Sequence, residues 1–371
     1  MEQFRLKSTI QTYNTCNEFC EAYLIGSGDL ILTSGHIINR YLEGKTGEAI
    51  VLNMRKYGQG EPSDELVEAI YQDIRELSFN RVIVIGGGSI LDVGKLLALK
   101  NISPVQELFE RKLPIVKERQ LILIPTTCGT GSEVTNISIL ELIQKQTKLG
   151  LSTDELYADY AVLIPELLED LPFGAFAASS LDAFIHAIES YLSPKANDFS
   201  EMYSLKAMEL ILMGYQRIAV KGRDIRNELL KDFLVASTYA GIAFGNAGCA
   251  AVHALSYPLG SVFHIPHGEA NYAVFQGVFD GYMKRKPDGK IEKLNTFLAK
   301  TLGCSKERVY EELESLFDSI LVRTPLRQYG VTLAQLEEFS DSVITNQGRL
   351  MANNYVELKR EDVLEIYQSV Y

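Results

Sequence analysis

Two side chains suited to acid–base or metal chemistry interrupt an apolar stretch of the sequence. Asp182 and His186 stand four residues apart in SSLDAFIHAIESY (179–191). This spacing puts both side chains on one face of a helix. An unpaired buried carboxylate is costly in free energy. A hydrogen bond between the two residues would offset part of that cost, and a divalent cation would offset all of it, so the segment alone leaves both interpretations open.

Further histidines favour the metal interpretation. The chain has five histidines, and AVHALSYPLGSVFHIPHGEAN (251–271) contains His253, His264 and His267. With Asp182 and His186, the residues His253 and His267 would supply one carboxylate and three imidazoles, a ligand set that suits Fe²⁺ or Zn²⁺. We expect His264 behind the ligands or at the surface. A cation held in this way lowers the pKa of an oxygen ligand, which is useful for chemistry on alcohols and carbonyls.

A second candidate site follows a predicted strand. NRVIVIGGGS (80–89) leads into ILDVGK, so a strand, a glycine turn and a helix start follow one another. Gly86, Gly87 and Gly88 would let the backbone approach a ligand closely. The first N–H groups of the helix would favour a phosphate. Ser89 and Asp92 also fit an ordinary capping box, and this segment alone favours neither interpretation.

A loop rich in hydroxyl groups follows another predicted strand, in LILIPTTCGTGSEVT (121–135). Four of its side chains are suited to hydrogen bonds with phosphate or ribose: Thr126, Thr127, Thr130 and Ser132. These hydroxyls are also what a tight turn uses for capping. Two such loops at the carboxyl ends of neighbouring parallel strands form the usual ligand crevice of an open sheet. We therefore favour a bound dinucleotide, and a metal beside it predicts hydride transfer.

Composition excludes several classes of protein. The 371 residues are 46% hydrophobic, so a sizeable core is expected. A net charge of −12 argues against nucleic acid as a partner. No apolar run approaches the roughly 20 residues of a membrane span, and no signal peptide is visible. The five scattered cysteines are typical of reduced thiols, which predicts a cytoplasmic protein that binds a small-molecule substrate rather than a membrane.

The order of elements predicts two domains. Apolar runs at 29–34, 48–54, 80–89 and 120–127 indicate buried strands, and 63–77 and 90–100 indicate helices between them. Alternating strands and helices predict a mostly parallel, Rossmann-like sheet. Only helical patterns follow residue 172, at 175–192, 199–220, 224–245, 290–302, 306–320, 333–350 and 360–370. We predict an α/β dinucleotide-binding domain over 1–168 and an all-α metal- and substrate-binding domain over 169–371.

These motifs together resemble those of the iron-dependent (group III) alcohol dehydrogenases. GGGSILDVGK, PTTCGTGSE, DAFIHAIESY and HALSYPLG followed by IPHGEAN occur in the order of that family. The resemblance implies one divalent metal, with Fe²⁺ favoured and Zn²⁺ as the alternative. It places the metal ligands on Asp182, His186, His253 and His267.

The resemblance also implies the nucleotide contacts. It assigns the pyrophosphate to Gly87 and Gly88, with Ser89 and Asp92 beside them. Further nucleotide contacts fall on three threonines and on a lysine near the nicotinamide ribose: Thr126, Thr127, Thr130 and Lys148.

Three positions depart from the family pattern, and one of them, Ile164 where relatives often carry an aspartate, is interpreted as structural. Tyr257 stands where many relatives carry a second histidine, so a tyrosine hydroxyl replaces that imidazole as a catalytic proton carrier beside His267. Ser34 stands where NAD-preferring relatives carry an aspartate at the end of a strand. Without a carboxylate to repel a 2′-phosphate, NAD is expected and NADP is not excluded.

The resemblance narrows the activity as well. Stretches such as AIESYLSPKA and YAGIAFGNAG are similar to family members that interconvert 4-hydroxybutyrate and succinate semialdehyde. Two alternative activities stay open: another short-chain alcohol or diol dehydrogenase of the same family, and an NAD-using metal-dependent lyase of the dehydroquinate-synthase type. His264, Lys148 and Arg349 are candidates to bind the substrate carboxylate. We expect a homodimer or a larger homo-oligomer.

Overall fold

The computed structural model describes residues 3–58, 60, 62–145 and 147–371. Within this part of the chain the backbone divides into two compact units. One unit is Leu6–Leu171. The other is Pro172–Tyr371 together with the start of the chain up to Arg5.

A six-stranded parallel sheet forms the centre of the first unit, in the order β1-β8-β5-β4-β2-β3. The strands of this unit are β1 (Thr9–Thr12), β2 (Asp29–Thr33), β3 (Ile50–Asn53), β4 (Arg81–Gly86), β5 (Gln120–Pro125), β6 (Ile137–Leu142), β7 (Thr147–Ser152) and β8 (Tyr160–Leu163). Strands β6 and β7 form a separate antiparallel hairpin. The predicted parallel sheet and its four predicted strands are confirmed, whereas β1, β8 and the hairpin were not predicted.

The sheet strands are apolar because they lie in the core. The side chains from Val82 to Ile85 of β4 are fully buried, as are those from Leu121 to Ile124 of β5. The helices of this unit are α1 (Cys16–Tyr23), α2 (Gly35–Ile37), α3 (Asp64–Ile74), α4 (Gly88–Leu97) and α5 (Val105–Phe109). Helix α4 packs so closely on β4 that a Cβ on Gly94 would lie 2.2 Å from a methyl of Val84. The two predicted helices correspond to α3 and α4.

The second unit is helical throughout its described residues, as predicted. Its helices are α6 (Phe173–Leu192), α7 (Asp198–Lys221), α8 (Arg226–Ala247), α9 (Ala251–Phe263), α10 (His267–Arg285), α11 (Lys290–Leu302), α12 (Val309–Ile320), α13 (Leu333–Asn346), α14 (Gly348–Met351) and α15 (Arg360–Ser369). Helix α6 lies in the core and packs against α7, α8 and α10. Helices α9 and α10 were missed by the sequence patterns, although they carry the predicted histidines.

Two further findings concern the environment of the chain. All five cysteines are free thiols. Among the described residues no single helix has the length and apolar character of a membrane span. One pair of helical segments, Arg223–Ala247 and Ala251–Phe263, meets these criteria when counted together, but the pair is bent by 106°.

Candidate active site

Helix α6 supplies the first two predicted ligands. Asp182 and His186 lie one turn apart, and only 3% and 6% of their surfaces are exposed. The rest of the helix is apolar enough to be buried on most of its faces, from Phe176 to Leu192. The ring of His186 stacks on Phe244 at 4.3 Å and on His253 at 4.5 Å between centroids. The helix therefore holds two polar side chains at a fixed place inside the core.

His253 lies near the start of α9, and a sharp turn between α9 and α10 places His267. His264 ends α9 with a left-handed backbone, at φ 55°, and Pro266 precedes α10. His267 is thus the first residue of α10. Gly268 follows it at a place where a Cβ would lie 1.9 Å from the backbone oxygen of Ala178 on α6. The missing side chain lets the start of α10 lie directly against α6.

The four predicted ligands converge on one another. Oδ1 of Asp182 lies 3.6 Å from Nε2 of His253 and 3.5 Å from Nε2 of His267. Its other oxygen, Oδ2, lies 3.8 Å from Nδ1 of His186. A cation about 2.1 Å from each ligand in a tetrahedral arrangement would separate two ligand atoms by about 3.4 Å. One ligand atom each from Asp182, His253 and His267 lies within 4.8 Å of the other two, which fits a divalent metal, and His186 falls in a neighbouring group with His253.

Glu189 is a site residue that the sequence analysis missed. It is 2% exposed, and its Oε2 lies 2.6 Å from Nδ1 of His253. The same carboxylate accepts hydrogen bonds from the backbone N–H groups of Ala250 (2.9 Å) and Val252 (2.6 Å). The signal was present in the sequence, because residues 182, 186 and 189 follow one face of a helix.

Cys249 is a second residue that was missed. One ligand atom each from Cys249, His186 and His253 lies within 4.8 Å of the other two. Burial raises the pKa of the Cys249 thiol well above its usual value, and the charges of Glu189 and Asp182 add to this effect. Without a cation beside it, the thiol is therefore protonated at neutral pH.

The charges of the cluster are strongly coupled. Burial by itself would raise the pKa of Asp182, but three neighbouring imidazoles outweigh it and hold that pKa well below its usual value. Burial would likewise lower the pKa of His253, but Asp182 and Glu189 outweigh it and raise the pKa to about 9. Without a metal, a protonated His253 thus supplies a positive charge between the carboxylates of Asp182 and Glu189.

Two more side chains line the cluster. Asn271, one turn after His267 on α10, donates a hydrogen bond of 2.8 Å to Oδ1 of Asp182. The ring of Tyr257 lies 6.1 Å from that of His267. Burial raises the pKa of Tyr257 well above its usual value, so its phenol stays protonated and can act as a hydrogen-bond donor.

The glycine turn and the hydroxyl loop also lie together, in the first unit. Strand β4 ends at Gly86, which pairs with Pro125 at the end of β5, and the N–H of Thr126 donates to the carbonyl of Gly86 at 3.0 Å. A Cβ on Gly88 would lie 2.5 Å from Cγ2 of Thr130. One on Gly87 would lie 3.4 Å from Cγ2 of Thr127. The two loops therefore form one surface at the carboxyl edge of the sheet, with the N-terminus of α4 between them.

The capping box considered for α4 is not formed. The N-cap residue is Gly87, without a side-chain bond, and Ser89 is exposed within the first turn. Asp92 instead accepts hydrogen bonds from the hydroxyl of Ser132 at 2.6 Å and from the N–H of Ile139 at 3.0 Å. Asp92 and Ser132, both predicted cofactor contacts, thus bond to each other and join α4 to the hydroxyl loop.

Three predicted residues lie apart from these clusters or at their edges. Ser34 follows β2, next to β4 in the sheet, and is half-buried. Lys148 lies exposed on β7, opposite Glu141 of β6. His264 is exposed at the end of α9. The structure thus separates His264 from the four clustered ligands, as the sequence analysis expected.

Comparison with known families decides the classification. Residues 9–165 match the family described as iron-containing alcohol dehydrogenase, and residues 176–371 match the C-terminal part of the Fe-containing alcohol dehydrogenase family. The chain belongs to the iron-containing alcohol dehydrogenase family. It is an oxidoreductase, as the resemblance implied.

Individual members of the iron-containing alcohol dehydrogenases resemble the chain over most or all of its length. A 4-hydroxybutyrate dehydrogenase from Clostridium kluyveri is 48% identical over 371 residues, which cover 100% of both chains. A long-chain-alcohol dehydrogenase from Geobacillus thermodenitrificans is 34% identical over 84% of this chain and 80% of its own.

Solved structures share the fold of this iron-containing alcohol dehydrogenase. A sulfoacetaldehyde reductase from Bifidobacterium kashiwanohense, in complex with NAD⁺, has a TM-score of 0.86 at 22% identity and covers 100% of this chain and 98% of its own. An iron-containing alcohol dehydrogenase from Thermococcus thioreducens has a TM-score of 0.81 at 25% identity, with coverage of 100% and 99%. The predicted fold class is confirmed.

Proposed function

We propose that this protein is an NAD-dependent 4-hydroxybutyrate dehydrogenase, which interconverts 4-hydroxybutyrate and succinate semialdehyde. The observation that carries this proposal is the 48% identity, over the full length of both chains, to the enzyme of that name from Clostridium kluyveri. The relative at 34% identity acts on a different class of alcohol by its name, so the full-length similarity favours the hydroxy acid.

One divalent cation is held by Asp182, His186, His253 and His267, and Fe²⁺ is favoured by the family. The donor set supports this, because one carboxylate and three imidazoles suit Fe²⁺ and Zn²⁺ alike. Nε2 of His253 supports it too, because this buried nitrogen has no hydrogen-bond partner among the described residues. A buried polar atom in that position calls for a ligand.

The reaction is a balanced two-electron oxidation. When bound, the metal supplies a Lewis acid that stabilises negative charge on the reacting oxygen, and NAD⁺ supplies the acceptor for a hydride from the carbinol carbon. The hydroxyl proton leaves to solvent, and the products are the aldehyde, NADH and a proton. Tyr257, whose ring lies 6.1 Å from that of His267, is proposed as the proton relay that replaces the family's second histidine.

The nucleotide is bound at the carboxyl edge of the parallel sheet. Gly86, Gly87 and Gly88 present backbone N–H groups at the start of α4, where a pyrophosphate is favoured. The remaining nucleotide contacts are proposed for Thr126, Thr127, Thr130 and Ser89. Lys148 is proposed for the nicotinamide ribose. Ser34 carries no charge, so NAD is proposed and NADP is tolerated.

A cation is needed for the carboxylate of the substrate, and we assign it to Arg349. This residue lies on α14, four residues before Asn353, whose side chain donates 2.9 Å to the carbonyl of Cys249 beside the metal ligands. The positive charge of Arg349 opposes the burial effect on the pKa values of both Cys249 and Tyr257. Within the described part of the chain no carboxylate lies in ion-pair range of Arg349. An exposed guanidinium near the metal ligands therefore remains available for an anionic substrate.

The remaining predictions extend this assignment. We propose a cytoplasmic homodimer or larger homo-oligomer that acts on a small molecule and has no membrane or nucleic-acid partner. The five free thiols support a reducing compartment.

A substrate panel tests the proposed function. Anaerobically purified protein loaded with Fe²⁺ is mixed with NAD⁺ and 4-hydroxybutyrate, 1-butanol or 1,4-butanediol, and the NADH absorbance is followed. We expect the highest kcat/KM with 4-hydroxybutyrate. A higher value with either neutral alcohol would assign a different substrate, and no NADH with any of them would favour the lyase alternative.

A further inference from the structure

Glu189 is a buried carboxylate with three close polar contacts. Its three acceptor contacts are the imidazole of His253 at 2.6 Å and the N–H groups of Ala250 and Val252 at 2.9 and 2.6 Å. These groups belong to the start of α9, whereas Glu189 itself lies on α6. The carboxylate thus joins the two helices that carry three of the four proposed metal ligands.

The contact with His253 has a chemical consequence. A carboxylate only accepts hydrogen bonds, so Nδ1 of His253 must carry the proton. The lone pair of the neutral ring is then on Nε2, the atom that lies 3.6 Å from Oδ1 of Asp182. A carboxylate behind an imidazole fixes the tautomer and the direction of a metal-binding histidine in this way.

We infer that Glu189 is a positioning residue for the metal: it keeps the proton of His253 on Nδ1 and aims Nε2 at the site shared with Asp182 and His267. This inference rests on the proposed function of those residues as metal ligands. A purely structural alternative exists, since the same carboxylate caps the first N–H groups of α9. The two roles differ in what they stabilise, because a cap stabilises the metal-free and metal-loaded protein equally.

The substitution Glu189→Gln separates the two roles. The amide has one acceptor oxygen instead of two and no charge, so it no longer enforces the Nδ1 proton, and when its NH₂ group faces His253 the ring must carry its proton on Nε2. We expect Fe²⁺ or Zn²⁺ affinity, measured by competition with a chelator, to fall about 10- to 100-fold. We also expect a smaller rise in unfolding temperature on metal addition than in the unsubstituted protein.

Ser193→Ala is the matched control. Ser193 is 1% exposed, just after α6, and its hydroxyl donates 2.7 Å to the carbonyl of Ala247 at the end of α8, three residues before Ala250, so it links α6 to a neighbouring segment without touching a ligand. This variant should lose stability in the metal-free protein and keep its metal affinity. If Glu189→Gln does not fold, Glu189→Asp, which keeps the charge on a shorter side chain, should show an intermediate loss of affinity.

The outcomes are distinguishable. Suppose that the native protein binds one metal and that a folded Glu189→Gln or Glu189→Asp variant binds it with unchanged affinity. This result would overturn the inference and leave the proposed function intact. If native protein binds no metal, the proposed metal site itself is wrong.

Discussion

Nε2 of His267 lies 3.5 Å from Oδ1 of Asp182, so the first residue of α10 meets the middle of α6. The side chain of His267 is 45% exposed, whereas that of Asp182 is 4% exposed. The cluster is therefore buried on the side of α6 and open on the side of α10. Of the four proposed ligands, His267 is therefore the one that can be removed with the least damage to the core.

We predict that His267→Ala abolishes turnover and weakens metal binding, while the protein stays folded. The loss of affinity should exceed the about 10- to 100-fold typical of residues behind the ligands, since a ligand itself is removed. Metal content after gel filtration and circular dichroism measure the two effects. His264→Asn, three residues earlier and exposed, should keep its metal. Full metal content in His267→Ala would exclude this residue from the ligand set.

We predict that metal binding is pH-dependent through His253. In the metal-free protein its pKa is raised to about 9, so the ring is protonated at neutral pH. Metal binding must release that proton, and the apparent affinity should therefore rise by up to about tenfold for each pH unit and level off near pH 9. Chelator competition at several pH values gives the slope. A metal affinity that does not change between pH 6.5 and 8.5 would contradict this account. This interval lies between the usual pKa of the ring and its raised value.

We predict that Gly88→Ala impairs nucleotide binding. The new Cβ would lie 2.5 Å from Cγ2 of Thr130, so the two loops must move apart. Such crowding typically costs about 1–3 kcal/mol. If this cost is lost from the binding free energy, the Kd of NADH rises about 5- to 150-fold. NADH fluorescence titration measures it. Gly26→Ala, where the nearest atom is 3.9 Å away, is the control in the same unit and should bind normally. Equal Kd values for the two variants would move the nucleotide away from this loop.

We predict that Arg349→Met lowers kcat/KM for 4-hydroxybutyrate but not for 1-butanol. A hydrogen bond to a charged group contributes about 1.5–3 kcal/mol, which corresponds to about a 10- to 150-fold loss. Arg349→Lys keeps the charge without the planar fork, so it should lose less. Steady-state kinetics with both alcohols provide the comparison. An equal loss with both substrates would mean that Arg349 acts on the fold and not on the carboxylate.

Local sequence patterns were enough for part of this molecule. The buried strands β4 and β5 appear as unbroken apolar runs, and the spacing of Asp182 and His186 indicates a shared helix face directly. The classification followed from motifs that combine such local signals. Each of these signals is carried by residues that are close together in the sequence, so it is visible without knowledge of the fold.

Other features depend on contacts between distant parts of the chain. Helices α9 and α10 were missed because Pro258, Pro266 and the left-handed His264 interrupt the helical pattern. The role of Glu189 depends on residues 250–253, which only folding brings near. Strand β6 of the hairpin buries only alternate residues and β7 is largely exposed, so neither strand is an unbroken apolar run like β4 and β5. Asp92 was expected to face the cofactor, but its bonds to Ser132 and Ile139 became visible only in the fold.

The most direct test of the central claim is the location of the metal. Crystals of anaerobically purified, Fe²⁺-loaded protein give an anomalous difference map at the iron absorption edge. The account predicts one strong peak about 2.1 Å from ligand atoms of Asp182, His186, His253 and His267. A peak elsewhere, or none in protein that is active with NAD⁺ and 4-hydroxybutyrate, would contradict it.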